Sequence, residues 1–236
     1  MRIKVINPNT TASMTALIGE CARAVAGPGV TVDAVSPQHG PVAIESHVDD
    51  ALSVPGVLAE IGLGEDEGYD GFVIACFGDP GLKAARELAT GPVVGIAEAG
   101  MRTAAYLGRG FSVVTTLSRT VGHAWDLAEE YGVARQCLGV HACEIPVLDL
   151  ETDPTARARI LRACEDALAV DGSDAIVLGC AGMADLCQSL SDELGVSVVD
   201  GVAAATTTVE MLVRMNLATG KRGEFARPPV RTGASA

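Results

Sequence analysis

The chain of 236 residues carries a formal net charge of −13, with 48% hydrophobic residues and only 3% aromatic ones. That acidity argues against nucleic acid or an anionic membrane surface as a partner, since both favour Lys and Arg, and leaves a small soluble molecule as the expected one. The length allows one large domain or two small ones, and a core built from Val, Leu, Ile and Ala suits parallel sheets covered by helices on both faces.

Met1-Arg2-Ile3-Lys4-Val5-Ile6 reads as a first strand, Ile3 to Ile6, running into a turn at Asn7-Pro8-Asn9-Thr10-Thr11. It lacks the charged-then-apolar pattern of a signal peptide, and no later apolar run approaches the length of a membrane span. Within GYDGFVIACFG, Gly68 to Gly78, comes a strand from Gly71 to Ala75, then a cysteine-glycine turn at Cys76. A helix over about Pro80 to Leu88 and a short strand, Val93 to Ile96, follow. The second series begins with a strand from Phe111 to Val114 that ends in Thr115-Thr116. It continues with a strand from Ala175 to Gly179, a turn at Cys180, a helix from Met183 to Leu194 and a strand from Val196 to Val199. A helical pattern over Val202 to Met215, in the segment 202–218, closes the ordered part, and residues 219–236 read as a loosely ordered tail rich in Gly, Pro, Arg and Ser. Strands alternating with helices at this spacing mean βαβ units and a parallel sheet.

The two series are copies. GYDGFVIACFG and GSDAIVLGCAG lie 104 residues apart and align without a gap, pairing Gly68 with Gly172, Asp70 with Asp174, Val73 with Val177, Cys76 with Cys180 and Gly78 with Gly182. The expected architecture is therefore α/β, with two pseudo-symmetric Rossmann-like lobes, residues 1–97 and 98–201, each a parallel sheet flanked by helices. If the lobes face one another by a pseudo-twofold relation, the strand ends carrying Cys76 and Cys180 meet across a cleft, since ligands of open α/β sheets bind at strand ends.

Two opposed thiols suit stereoinversion by proton transfer. A thiolate removes a proton from one face of a carbon and a thiol returns one to the other. Cysteine, with a reference pKa of about 8.5, is near the strength required once perturbed. Each cysteine is expected to precede a glycine turn into a helix, so that amide N–H groups and the helix dipole favour its thiolate. The same turns, Phe77-Gly78 and Ala181-Gly182, offer amides for an enolate oxygen. Asn7, Thr115 and Thr116 reach the same cleft from strand ends, although turn and cap chemistry would also place Asn and Thr there.

The other five cysteines, Cys21, Cys137, Cys143, Cys164 and Cys187, read as core or incidental. Seven cysteines without a C-x-x-C pair or zinc spacing to His fit neither a disulfide framework nor a metal site, so a reducing cytoplasm is the expected compartment and no metal is expected. His39, His47, His123 and His141 have no repeat partner and read as solvated. Asp79, whose counterpart is Met183, reads as a cap for the helix that follows it. The glycine-rich turns match no phosphate-binding pattern.

VINPNTT at the start, IACFGDPGL around Cys76, PVVGIAEA from Pro92, SVVTTLSR around Thr115 and IVLGCAGM around Cys180 resemble the aspartate/glutamate/hydantoin racemase superfamily, in its hydantoin and allantoin racemase branch. The resemblance spans nearly the whole chain. It implies two Rossmann-like halves with the C-terminal helix returning to the first, a cofactor-free two-base mechanism with Cys76 and Cys180 as acid and base, homo-oligomers, and a cytoplasmic location. The turns after the cysteines have no adjoining Arg or Lys, which suits a neutral cyclic imide-amide better than a dicarboxylate. The expected substrate is thus a 5-monosubstituted hydantoin, allantoin included. The alternatives are aspartate or glutamate racemisation, arylmalonate decarboxylation, against which Cys76 counts, maleate isomerisation, and non-catalytic binding of a small molecule.

Overall fold

The structure, a computed structural model, describes residues 1–229. In chain order the first half runs β1 (Arg2–Ile6), α1 (Ala12–Val25), β2 (Thr31–Val35), α2 (His47–Asp66), β3 (Gly71–Ile74), α3 (Leu82–Leu88), β4 (Val93–Gly95) and α4 (Ile96–Ala104). The second runs β5 (Phe111–Thr115), α5 (Val121–Glu130), β6 (Cys137–Ala142), α6 (Ala156–Asp171), β7 (Ala175–Gly179), α7 (Cys187–Leu194), β8 (Ser197–Val199) and α8 (Gly201–Arg214). Two four-stranded parallel sheets result, β2-β1-β3-β4 and β6-β5-β7-β8. The repeat thus extends to strand order.

The strands β3, β5 and β7 are buried along their whole length, which is why β3 and β7 read as continuous apolar runs, while β5 also buries Ser112 and Thr115. Register places Ile6 beside Ile74 in one sheet and Thr115 beside Gly179 in the other, so both central pairs end level at their C-terminal edges. Side chains alternate between faces with period two. Val113 and Val177 join a core continuous with Ile3, Val5 and Phe72 of the first sheet, whereas Val114, Ile176 and Leu178 face a separate cluster with Ile160 and Leu190. The lobes therefore share one apolar core.

Helix α4 makes that junction. A side chain at Gly100 would meet Val177 of β7 at 3.1 Å, and one at Gly201, where α8 starts, would meet the Ile96 carbonyl oxygen at 2.6 Å. Only glycine permits α4 and α8 to approach so closely. The C-terminal helix packs on the first lobe: Val209 occupies the space a side chain at Gly71 would need, and Glu210 accepts a hydrogen bond from the Gly27 N–H at 3.0 Å.

The tail expectation needs correcting for its described part. Thr219 donates to the Gly91 carbonyl at 3.0 Å, Lys221 donates to the carbonyls of Arg86 and Glu87, and Arg227 donates to Thr90 at 2.8 Å. These bonds fasten residues 219–227 along α3 and its following loop; residues 230–236 lie outside the described residues.

Candidate active site

In each sheet the winding reverses direction between its two central strands, and such reversals open a crevice at the C-terminal edge. The two crevices face each other and form a single cavity of about 190 Å³. From the first lobe, Asn7 and Asn9 follow β1 and Ala75–Gly78 follow β3; from the second, Thr115 and Thr116 end β5 and Gly179–Ala181 end β7. The volume falls below the roughly 300–1,000 Å³ of pockets for drug-sized ligands, so the occupant is a smaller molecule.

Cys76 and Cys180 both line this cavity and both are partly accessible. Their turns match in detail. The Asp79 N–H donates to the Cys76 carbonyl at 3.0 Å and the Met183 N–H to the Cys180 carbonyl at 3.1 Å, while the N–H groups of Gly78 and Gly182 are directed at the two sulfurs. The next amides complete the pattern: the N–H groups of Phe77 and Ala181, themselves 104 residues apart, have no backbone acceptor among the described residues.

The electrostatics differ from the sequence expectation. Burial pushes the Cys180 thiol up to about 11 against the pull of the Gly182 N–H. It pushes the Cys76 thiol higher still against the Gly78 N–H, with Cys180, Asp50 and Asp79 adding to the rise. Helix dipoles give little help, because α3 starts six residues beyond Cys76 and a 3-10 segment, Ala181–Leu186, separates Cys180 from α7. Desolvation outweighs the amides, and both resting thiols are protonated at neutral pH.

Of the other residues singled out in the sequence, Phe77, Gly78, Thr115, Thr116, Ala181 and Asn7 line the cavity. Gly182 stands behind the wall, where a side chain would meet Leu150 at 3.1 Å and Met14 at 3.3 Å; it acts through its amide on Cys180. Asn7 has its amide occupied, donating to Asn9 at 2.8 Å and Thr15 at 3.0 Å, so it holds the β1 turn in shape. Thr115 shares a hydrogen bond with Thr120 at 3.0 Å.

Asp79 is not a cap for α3. Its backbone is left-handed at φ 46°, and its carboxylate accepts from the N–H groups of Ala97 (3.1 Å) and Glu98 (2.9 Å) at the start of α4 and from the Tyr131 hydroxyl (2.6 Å). Burial raises its pKa to about 7 despite these donors. The residue thereby ties the Cys76 turn to the helix that joins the lobes.

Two histidines expected at a solvated surface belong to the cavity wall. His47 opens α2, His123 lies on α5, and their rings meet edge to face at 5.7 Å. His123 Nε2 lies 3.3 Å from the Gly78 carbonyl oxygen. His39 is exposed as expected, whereas His141 pairs with Asp171 at 2.6 Å on the second lobe. Asp50 and Arg119 also line the cavity and were not found from sequence; the i, i+3 spacing of His47 and Asp50 at the start of a helix is the signal that was available. Glu45 closes the wall between lobes, accepting from the Val147 N–H at 2.6 Å. Among the described residues no group of three or more His, Cys, Asp or Glu is placed to hold a metal ion, and no helix is long and apolar enough to cross a membrane.

Two parallel-sheet lobes enclosing a shared cavity, with one cysteine from each lobe on its lining, are the arrangement of an α/β enzyme for a small molecule. A family model described as Asp/Glu/Hydantoin racemase matches residues 3–209. The chain is 49% identical over 235 residues to the hydantoin racemase of Rhizobium meliloti, a match covering 99% of this chain and 98% of that one. It is 51% identical to the solved allantoin racemase from Klebsiella pneumoniae, with a TM-score of 0.97 over 100% of this chain and 96% of that one. A second allantoin racemase structure, from Pseudomonas fluorescens, is 40% identical with a TM-score of 0.95 and 100% coverage of both chains. The chain belongs to the Asp/Glu/Hydantoin racemase family and is an enzyme of the isomerase class.

Proposed function

We propose that the chain is a cofactor-independent racemase that inverts C5 of 5-monosubstituted hydantoins through proton transfer between Cys76 and Cys180. The observation that carries the reading is the pair of repeat-equivalent thiols lining one cavity. One cysteine, as thiolate, takes the C5 proton and becomes a thiol. The electron pair left on C5 delocalises onto the adjoining carbonyl oxygen, giving a planar enolate. The opposite thiol then delivers its proton to the other face and becomes the thiolate, so the next turnover runs in the reverse sense.

The free N–H groups of Phe77 and Ala181, one beside each thiol, are suited to hold the enolate oxygen. Thr115 and Thr116 offer hydroxyls to the ring amides. Arg119, outside the two cysteine turns, does bring a cation to the wall, but Glu45 and Asp50 stand on the same wall, and a dicarboxylate would meet those two like charges. A neutral ring fits this balance better.

Polarimetry tests the reading, starting from one enantiomer of a 5-alkylhydantoin and, separately, of allantoin. Loss of rotation at constant mass supports racemisation. Release of carbon dioxide, or binding without turnover, would replace it with a decarboxylase or a binding protein.

A further inference from the structure

We propose that Asp50 selects the substrate's C5 substituent by accepting a hydrogen bond from an N–H group on it, so that a ureido-type substituent is preferred to an alkyl one. The inference rests on the hydantoin racemase reading and deepens it. Asp50 lies in the first turns of α2 and lines the cavity. Its Oδ1 is, among the described residues, the buried side-chain polar atom that lacks any hydrogen-bond partner. Its neighbour Asp49, by contrast, uses its Oδ2 to accept from the Ser46 hydroxyl at 2.6 Å and the Glu45 N–H at 3.2 Å.

The surrounding groups do not serve Oδ1. His123 Nε2 is at the Gly78 carbonyl, and His47 packs edge-on against the His123 ring. A buried acceptor left without a donor is costly, so in an enzyme that binds its substrate in this cavity the donor is expected from the ligand. Gly78 keeps the space beside Oδ1 open: a side chain there would stand 2.9 Å from it. The absence of a side chain at this point on the Cys76 turn leaves the carboxylate next to the reacting centre.

Symmetry assigns the substituent rather than the ring. The groups suited to the ring and its enolate, Cys76 with Phe77 and Cys180 with Ala181, come in repeat-equivalent pairs. Asp50 belongs to α2 and has no counterpart lining the second half of the wall. An off-axis acceptor meets the part of the substrate that lies off the axis, which is the C5 substituent. In the planar enolate that substituent lies in the ring plane between the two thiols, so one carboxylate can hold it for both enantiomers. A ureido group presents N–H donors there and an alkyl group none.

The test compares kcat/KM for racemisation of 5-ureidohydantoin and 5-isopropylhydantoin by the wild type, Asp50→Ala and Asp50→Asn. The expected result for Asp50→Ala is a shift of the ureido-to-alkyl ratio toward the alkyl substrate by on the order of 10- to 100-fold, carried mainly by KM for the ureido substrate. Asp50→Asn, which keeps the shape and one acceptor oxygen, should move the ratio the same way by less, and gives a readable result if the alanine variant folds poorly. An unchanged ratio in both variants, whether activity falls equally on both substrates or not at all, would overturn the assignment while leaving the racemase reading intact. A wild-type protein that racemises neither hydantoin would overturn both.

Discussion

Protons should control this enzyme steeply, because both thiols titrate well above neutrality. On the proposed mechanism inversion needs one thiolate and one thiol in the same cavity, so the active form has lost the first proton of the pair but not the second. With Cys180 at about 11 and Cys76 higher, that first proton comes from Cys180. At pH 7 on the order of one free enzyme molecule in 10⁴ then carries the thiolate, and the fraction rises about tenfold for each pH unit. Since kcat/KM reports the ionisation of the free enzyme, it should rise about 1,000-fold between pH 5.5 and 8.5 without levelling.

The assay is the initial loss of optical rotation at substrate well below KM, corrected at each pH for uncatalysed racemisation. Alkylation of the unliganded protein, read by mass spectrometry, supplies an independent measure: Cys180 should be modified before Cys76, with a rate that climbs over the same range. A plateau in kcat/KM beginning near pH 7, or faster labelling of Cys76, would refute the argument that desolvation dominates the amide bonds from Gly78 and Gly182.

Cys76→Ala and Cys180→Ala should each lower racemisation by roughly 10²- to 10⁴-fold, while each retains exchange of the C5 hydrogen with solvent deuterium from one enantiomer, read by NMR; a fully active Cys76→Ala would end the two-thiol mechanism. Asp79→Ala should lower stability by about 3 kcal/mol, because it leaves the N–H groups of Ala97 and Glu98 and the Tyr131 hydroxyl without their acceptor. Thermal unfolding should register this as a drop in Tm of roughly 6–12 °C, and a Tm within a degree or two of wild type would show that α4 does not depend on this cap.

How much of this was legible in the sequence follows from which contacts are local. The central strands β3 and β7 are covered on both faces, so they hold apolar residues throughout and their runs stand out. The edge strands β2 and β6 are exposed along one side and carry Asp33 and His141, which breaks the pattern. Helix α2 escaped notice because Val48, Leu52 and Leu63 lie on its exposed side as well as apolar residues on its buried one, and because it contains Pro55 and several glycines, so that no clear 3.6-residue period shows. His47 and Asp50 were lost with it. The Asp79 contacts were illegible for a different reason: its partners lie 18, 19 and 52 residues away, and a cap across that span depends on the assembled lobes.

On the proposed mechanism, the division between duplicated and unduplicated residues is also a division of labour. Whatever acts on a planar intermediate from both faces must be nearly the same on both walls, so a repeat preserves it: a thiol, the amide after it, and a turn amide aimed at its sulfur. Whatever distinguishes one substrate from another must break that symmetry, because a substituent projects from the ring in one direction only. Four residues that lack repeat partners, Asp50, His47, His123 and Arg119, fall on the wall of the same cavity. A self-comparison of sequence therefore finds the chemistry and is blind to the selectivity, and for the same reason exchanging α2 between relatives should alter substrate preference while the two cysteine turns continue to perform the inversion.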